Sequence, residues 1–365
     1  MIPLCVPEIK GNEWKYVKEC LDTNWVSSVG SYVDRFEDEF AKYLRCEKAV
    51  VTMNGTAALQ LAMVTLGIGA GDEVIVPSMT FISSVNSIKY TGAEPVFVDV
   101  CKDTFVMDAN KIEELITAKT KAIMPVHIYG YSVDMDKVME IARKYNLYVI
   151  EDATESLGTT YKGKMSGTIG HIGCFSFNGN KLITTGAGGM MVTNNVKMGE
   201  RAKYLSNQTK TITENGGMFH EEIGFNFRMP NLLAAMGVAQ LEMVPEYLEV
   251  KRRNANLYNE LLKDTKGIKL VKEDSDVDNC YWLYSILVEE DFKVSRDELL
   301  KILNENKIGA RPFFMPVHDM PPYKECKAGD MSGTVYVSER GINLPSSVSL
   351  TEDEVRKVCE VINNV

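Results

Sequence analysis

The sequence is poor in several features that mark common classes of protein. Lysine and arginine number 40 and acidic residues number 50, so the net charge of −10 argues against nucleic acid or an anionic membrane surface as the main partner. No apolar run approaches the roughly 18 residues that a membrane helix needs. The first residues form neither the basic nor the apolar segment of a secretory signal. Together these absences predict a cytoplasmic protein.

Metal-binding and nucleotide-binding motifs are also missing. The eight cysteines include no C-x-x-C pair, which favours reduced core thiols over a disulfide framework in a chain of 365 residues. The four histidines are dispersed along the chain, so no metal centre is predicted. Without a G-x-x-x-x-G-K-S/T segment there is no P-loop, and without G-x-G-x-x-G a dinucleotide site is not expected.

What the sequence does contain is an alternation of apolar strands and helices. Such alternation is typical of βαβ units around a mostly parallel sheet, where ligands bind at the carboxyl ends of the strands. Strands are predicted near residues 51–53, 73–77, 94–99, 122–126, 147–152 and 173–177, and helices near 32–44, 56–66, 81–90, 110–118, 135–145 and 231–241.

The pattern changes after residue 245, which predicts a second domain. We expect a large domain over residues 1–245 and a smaller α+β domain over residues 246–365. The elements predicted for the smaller domain are helices at 247–262, at 295–306 and from 351, a strand at 281–288 and a proline-rich loop at 311–322.

One lysine lies in a crowded stretch that runs from His171 to Met191. The apolar segment 173–177 predicts a buried strand, and three glycines after Lys181 permit close approach of the backbone. Apolar surroundings disfavour the charged ammonium and make the amine a usable nucleophile. A single lysine is usually a solvated surface group, so this interpretation depends on other residues.

Other residues supply the remaining parts of a pyridoxal phosphate site. Such a site needs a carboxylate for the pyridinium proton, a helix N-terminus with hydroxyls for the phosphate, and an aromatic ring over the cofactor. Asp152, the 54–57 turn with Ser176, and Phe81 are candidates for these tasks. Each also has a structural explanation, which is strand-end capping for Asp152, helix capping for the turn and core packing for Phe81.

Taken in order, these motifs resemble the DegT/DnrJ/EryC1/StrS family of sugar aminotransferases. The resemblance covers nearly the whole chain and implies the α/β fold of aspartate aminotransferase (fold type I), a large cofactor domain plus a smaller α+β domain. It rests on NGTAAL at 54–59, GDEVIVP at 71–77, GAEPVFVD at 92–99, EDA at 151–153, FSF at 175–177 with Lys181, TTG at 184–186 and GFNFRM at 224–229.

The resemblance also implies a task for each candidate residue. Lys181 would form the Schiff base with pyridoxal phosphate and carry protons between the cofactor and the sugar. Asp152 would pair with the pyridine nitrogen, and Phe81 would stack on the ring. The residues expected to hold the phosphate are Gly55, Thr56, Ala57, Ser176 and, from the neighbouring subunit of a homodimer, Asn226.

Two positions depart from the family's usual pattern. Glu155 stands where glutamine or histidine is common, so an acid near the cofactor has to be protonated or otherwise paired, and its role is left open. Ala187 stands where glutamate is common.

The implied reaction moves an amino group from glutamate, through pyridoxamine phosphate, to C4 of a nucleotide-linked 4-keto-6-deoxy sugar. The motifs look most like members that act on UDP-linked N-acetylhexosamines for surface polysaccharide, glycan or nonulosonic acid biosynthesis. Residues 25–30 and 311–323 match places where relatives build the nucleotide-sugar pocket. Trp25, Ser28, His318 and Tyr323 are the candidates within them, although His318 could equally be a surface histidine. His127 is expected to be a satisfied core histidine.

Four other functions stay open. They are an aminotransferase for a dTDP-linked 3- or 4-keto sugar, a pyridoxal phosphate-dependent sugar dehydratase, a non-catalytic binding protein on the same scaffold, and a NAD-dependent sugar oxidoreductase. Lys181 argues against the dehydratase, because a histidine replaces this lysine there. The complete set of cofactor residues argues against the binding protein, and the missing glycine fingerprint argues against the oxidoreductase.

Overall fold

The computed structural model describes all residues from 1 to 365. No helix in it is both long and apolar enough to span a membrane. The helices are α1 Glu13–Asp22, α2 Ser31–Leu44, α3 Gly55–Thr65, α4 Ile82–Tyr90, α5 Met135–Tyr145, α6 Val196–Ser206, α7 Asn231–Glu242, α8 Val244–Leu262, α9 Arg296–Glu305, α10 Ser332–Arg340 and α11 Glu352–Asn363. The strands are β1 Lys48–Thr52, β2 Glu73–Pro77, β3 Glu94–Val98, β4 Thr120–Ile123, β5 Tyr148–Asp152, β6 Thr160–Tyr161, β7 Lys164–Met165, β8 Ile172–Ser176, β9 Gly189–Thr193, β10 Lys210–Ile212, β11 Met218–His220, β12 Ile268–Leu270, β13 Val277–Asp278, β14 Tyr284–Val288, β15 Arg311–Pro312 and β16 Gly341–Leu344.

Seven strands form the central sheet in the order β1-β9-β8-β5-β4-β2-β3. The strand β9 is antiparallel to both of its neighbours, β1 and β8, so those two run in the same direction. The remaining neighbours pair in parallel. The predicted α/β fold with a mostly parallel sheet is confirmed, and the carboxyl ends of six strands lie along one edge.

Two predicted elements before residue 130 differ from the structure. The helix predicted at 110–118 is replaced by two short 3-10 helices, Ala109–Lys111 and Glu113–Leu115. Apolar residues are buried there at every third position, from Ala109 to Leu115, which is the period of a 3-10 helix. The strand predicted at 122–126 is shifted to β4, because Pro125 has no N–H to donate to a ladder.

The C-terminal part builds a second sheet with its own core. Its strands lie in the order β12-β14-β16-β15 and are all antiparallel. The core contains 19 buried residues, all from residue 255 onward except Ile2. The first half of α8, with Tyr247 and Leu248, packs in the larger core, and the division after residue 245 stays a prediction.

The predicted strand at 281–288 begins only at Tyr284. Tyr281 has a left-handed backbone (φ 48°), which interrupts a strand. The segment before β14 instead contacts the residue before β6, since the Cys280 N–H donates to the Thr159 hydroxyl at 3.0 Å. This contact brings residues 280–283 to the sheet edge.

The strand β5 ends in two carboxylates with different tasks. Glu151 is fully buried and accepts three backbone hydrogen bonds of 2.5–2.7 Å from the 167–170 turn. The Nδ1 atom of His127 accepts the Val133 N–H, so its Nε2–H donates to Glu151 at 2.9 Å. His127 is therefore the satisfied core histidine that was predicted, and Glu151 fixes the end of the strand that carries Asp152.

Candidate active site

A cavity of about 650 Å³ opens where the carboxyl ends of the strands meet the C-terminal part of the chain. Segments that are far apart in the sequence line it, from the N-terminal residues 3–6 to Asn343. The predicted cofactor residues that it brings together are Gly55, Thr56, Phe81, Asp152, Glu155, Ser176 and Lys181.

Lys181 extends its amine into this cavity from the loop after β8. A turn sets the loop, since the Lys181 N–H donates to the Asn178 carbonyl at 3.0 Å. The side chain is only 13% exposed, and its Nζ lies 3.3 Å from Oε1 of Glu155. The same nitrogen lies 3.8 Å from the centre of the Trp282 ring. The amine is thus partly desolvated and has both a carboxylate and an aromatic face beside it.

Glu155, whose role the sequence left open, is a buried partner of this amine. Its second oxygen, Oε2, accepts the N–H of Tyr129 at 2.8 Å. Burial raises the pKa of the Glu155 carboxyl, and the adjacent Lys181 opposes that shift. The acid that departs from the family pattern is therefore paired within the chain.

Asp152 presents a fixed carboxylate at the end of β5. Its Oδ2 accepts the Ser84 hydroxyl at 2.7 Å, and its Oδ1 accepts the Thr154 N–H at 3.2 Å. Ser84 in turn contacts the Thr80 hydroxyl at 2.7 Å. A carboxylate has about four acceptor positions, so capacity remains for a ring N–H.

The N-terminus of α3 forms a cradle at the same edge. The Asn54 side chain caps the helix by accepting the Ala57 N–H at 2.8 Å, whereas the N–H groups of Gly55 and Thr56 have no acceptor within the chain. A Cβ at Gly55 would lie 2.9 Å from the Cβ of Ser176, so only glycine permits this approach. Unpaired N–H groups at a positive helix end suit a phosphate.

Phe81 precedes α4, and its side chain is 53% exposed. Phe81 is therefore not a core residue of the single chain, which was its alternative explanation. Its ring centre lies 5.8 Å from that of Phe314. A partly exposed aromatic ring that lines a cavity can cover a planar ligand.

These residues fit pyridoxal phosphate. The chain supplies an amine at Lys181, a carboxylate with acceptor capacity at Asp152, and a cradle at Gly55 that any side chain would fill. The donor set is that of a phosphate site with an amine nucleophile, and the chemistry of each group matches one part of the cofactor.

Ala57 and Asn226 lie beside this cavity rather than in it. Both line a neighbouring cavity of about 480 Å³ that shares Asn54 and Thr56 with the first one. Asn226 is exposed in the single chain. Its predicted contact with the phosphate of a neighbouring subunit stays a prediction.

The four predicted substrate residues do not line the cavity of the single chain. His318 is held by Ser78, whose hydroxyl lies 2.6 Å from its Nδ1, and the buried Tyr323 donates to the Asn86 side chain. Both side chains therefore make contacts that fix the fold. Trp25 and Ser28 lie in a surface loop away from the cavity, and Asn231 of α7 donates to the Trp25 carbonyl at 2.8 Å.

Sequence reasoning missed several residues that do line the cavity. Trp282 is the most important of these, because it contacts the Lys181 amine. It lies 102 positions from Asn180, to which it is hydrogen-bonded, so no local pattern reveals the contact. The loop at 311–323, by contrast, was predicted to build the substrate pocket, and it reaches the cavity through Arg311, Pro312 and Phe314 rather than through His318 and Tyr323.

Comparisons with known proteins agree with this geometry. The DegT/DnrJ/EryC1/StrS aminotransferase family matches residues 7–363. The GDP-perosamine synthase of Escherichia coli O157:H7 is 45% identical over 362 residues, which is 99% of this chain and 98% of that protein. The GDP-perosamine synthase of Caulobacter vibrioides is 44% identical over 366 residues, or 100% of this chain and 98% of that protein.

A solved structure of a sugar aminotransferase has the same fold as this chain. The Streptococcus pneumoniae protein Spr1654, described as a sugar aminotransferase and solved in its PMP form, superimposes with a TM-score of 0.94 at 27% identity. The match covers 100% of this chain and 98% of that one. This chain therefore belongs to the DegT/DnrJ/EryC1/StrS aminotransferase family, and it is a pyridoxal phosphate-dependent enzyme that aminates a sugar nucleotide.

Proposed function

We propose that the chain transfers an amino group from glutamate to C4 of a GDP-linked 4-keto-6-deoxy sugar, in the cytoplasm and for surface polysaccharide biosynthesis. The observation that carries the proposal is the single cavity shared by the Lys181 amine, the Asp152 carboxylate and the α3 N-terminus. The choice of GDP rests on the 45% identity with a GDP-perosamine synthase. The GDP-linked sugar takes the place of the UDP-linked N-acetylhexosamine that the motifs predicted. The UDP-linked sugar serves as the comparison substrate in the experiment below.

Asp152 and the α3 cradle would bind and orient the cofactor. Bound pyridoxal phosphate supplies an aldehyde that exchanges for the amino group and a ring that withdraws electrons from the reacting carbon. Asp152 would hold the proton of the ring nitrogen, since Ser84 and Thr154 fix its carboxylate in one orientation. The unpaired N–H groups at residues 55–56 and the Ser176 hydroxyl would bind the phosphate.

Lys181 would move protons as the general acid and base of the reaction. Its Nζ ends a flexible chain in the cavity, so one amine can give a proton to one atom and take a proton from another. Glu155, 3.3 Å away, balances the charge of the protonated amine. Burial around both groups excludes water from the atoms that exchange the proton.

Arg311 is a candidate anchor for the anionic part of a substrate. Its exposed side chain lines the cavity and is paired with no carboxylate of the chain. A guanidinium binds carboxylate or phosphate oxygens through two parallel hydrogen bonds. Arg311 therefore suits the carboxylate of glutamate or the diphosphate of the nucleotide.

We also propose a homodimer with a shared active site. Several large apolar side chains are exposed in the single chain and are available for burial against a second copy of it. They include Leu21, Trp25, Val29, Met218 and Ile223. The exposed Asn226 beside the α3 N-terminus supports the same assembly.

Absorbance spectroscopy tests the substrate class. We expect glutamate to shift a band near ~420 nm to ~330 nm, and a GDP-linked 4-keto-6-deoxyhexose to restore it. A UDP-linked 4-keto-6-deoxy-N-acetylhexosamine should restore it at least ~100-fold more slowly, because the cavity would discriminate at the nucleotide and at C2. Faster recovery with the UDP sugar would contradict the choice of GDP, and recovery with neither would contradict the proposed function.

Two variants serve as controls in that experiment. Lys181→Ala should lose the band near ~420 nm and all turnover while its circular dichroism is unchanged, since the side chain enters a cavity. Asp152→Asn should keep bound cofactor but lower kcat by about 100-fold or more, because an amide cannot hold the ring proton as a carboxylate does. Transamination by Lys181→Ala would contradict the role given to the lysine.

Mixed dimers test whether Asn226 acts across the subunit interface. Asn226→Asp places a carboxylate where the phosphate is expected, so this variant and Lys181→Ala should each be inactive alone. Co-expressed in equal amounts, they should recover about one quarter of wild-type activity, because half of the dimers are mixed and each mixed dimer has one intact site. No recovery, or an active Asn226→Asp enzyme, would contradict the shared site.

The burial of Glu155 predicts a pH-dependent contribution to stability. Its pKa is raised above the usual 4.5, so its protonated form favours folding, and that contribution is lost as pH rises through the folded-state value. The cofactor-free Glu155→Gln protein should therefore gain stability relative to wild type as pH rises from about 4.5, and the gain should then level off. Urea unfolding between about pH 4 and pH 8 measures this difference, and parallel curves would contradict the prediction.

A further inference from the structure

Trp282 contacts the reactive lysine with the face of its indole ring. The ring centre lies 3.8 Å from Nζ of Lys181, well inside the ~6 Å range of a cation–π interaction. Trp282 is 4% exposed, so little water competes for the ammonium on that side. The residue belongs to the C-terminal part of the chain, whereas Lys181 follows a strand of the central sheet.

The same ring also binds the backbone next to the lysine. The indole Nε1–H donates to the Asn180 carbonyl oxygen at 2.7 Å, and that carbonyl belongs to the peptide group joining Asn180 to Lys181. The Cys5 thiol donates to the same oxygen at 3.1 Å. One side chain therefore holds both the peptide group before Lys181 and the amine at the end of its side chain.

The ring itself is held in place from two directions. It stacks on Tyr129 with ring centres 6.4 Å apart, and the Tyr129 N–H binds Glu155, the other partner of the amine. On the main chain, the buried Lys251 of α8 donates to the Trp282 carbonyl at 2.8 Å and to the Ser346 hydroxyl at 2.9 Å. The ring is therefore a rigid surface rather than a mobile one.

We propose that Trp282 is a positioning residue that holds the Lys181 amine, together with Glu155, whenever that amine is not bonded to the cofactor. The inference rests on Lys181 being the Schiff-base lysine of the proposed function. When cofactor-free protein meets pyridoxal phosphate, Glu155 would accept one proton from the Lys181 ammonium, and the freed electron pair of Nζ would bond to the aldehyde carbon. The aldehyde oxygen would leave as water with that proton and a second proton from Nζ, which gives a protonated Schiff base. An amine already confined beside the reaction centre reaches the aldehyde without a search among rotamers, so the ring speeds this step.

The rate of Schiff-base formation by cofactor-free protein tests the proposal. After mixing with pyridoxal phosphate, the band near ~420 nm should appear about tenfold more slowly in Trp282→Leu, which lacks the ring face and the indole N–H. Trp282→Phe keeps a face and should stay within about threefold of wild type. The matched control is Trp14→Leu, at a residue that is 82% exposed and outside the cavity, and it should react at the wild-type rate.

Fluorescence gives a second readout that needs neither the cofactor nor Trp282→Leu. Trp14, Trp25 and Trp282 are the three tryptophans of the chain, so replacing the first two with phenylalanine leaves Trp282 as the only indole emitter. In that protein, Lys181→Met should change the intensity of the emission because it removes the charge from the ring face. Identical emission would overturn the contact.

The outcomes separate this inference from the proposed function. A wild-type protein that forms the band, with Trp282→Leu equally fast, would overturn the role of Trp282 alone. A wild-type protein that forms no band would overturn the proposed function and this inference with it. Slow formation in Trp282→Leu with near-normal rates in Trp282→Phe and Trp14→Leu supports the inference.

Discussion

The site depends on the common direction of six strands in the central sheet. Because β1, β8, β5 and β2 end at the same edge, the residues that follow them meet although the sequence separates them widely. The α3 cradle follows β1, Ser176 ends β8, Asp152 ends β5, and Phe81 follows β2. The antiparallel β9 leaves this arrangement intact, since it runs between two strands that keep the common direction.

The central chemical feature of this edge is one amine with two unlike partners. A carboxylate alone beside Lys181 would fix a buried ion pair, whose desolvation cost offsets much of its attraction. Glu155 makes one contact and the Trp282 face makes the other, and burial raises the pKa of the carboxyl. The nearby Glu151 differs, because three backbone N–H groups and His127 surround it and leave it a purely structural role.

The sequence predicted most of the helices and strands that local residue pattern determines. The helix predicted at 135–145 corresponds to α5, and the alternation of elements predicted the mostly parallel sheet. Asp152 and Lys181 lie together as the motif order implied. Local pattern failed where distant contacts decide the outcome. His318, for example, is held by Ser78, 240 positions away.

Trp282 shows the same limit within the site itself. Its neighbours in the sequence predict a strand, and nothing near it indicates a contact with Lys181. The contact exists because Tyr281 breaks the strand and Lys251 and Tyr129 hold the segment at the sheet edge. A single sequence contains the residues of such a contact but not their proximity.

The most direct test of this account is to locate the cofactor on the chain. The protein loaded with pyridoxal phosphate would be reduced with borohydride, digested and analysed by mass spectrometry. We expect a reduced cofactor on Lys181 and none on Lys251, the buried lysine that faces only neutral acceptors. Cofactor on Lys251 or on any other lysine, or no covalent label at all, would contradict the assignment of Lys181.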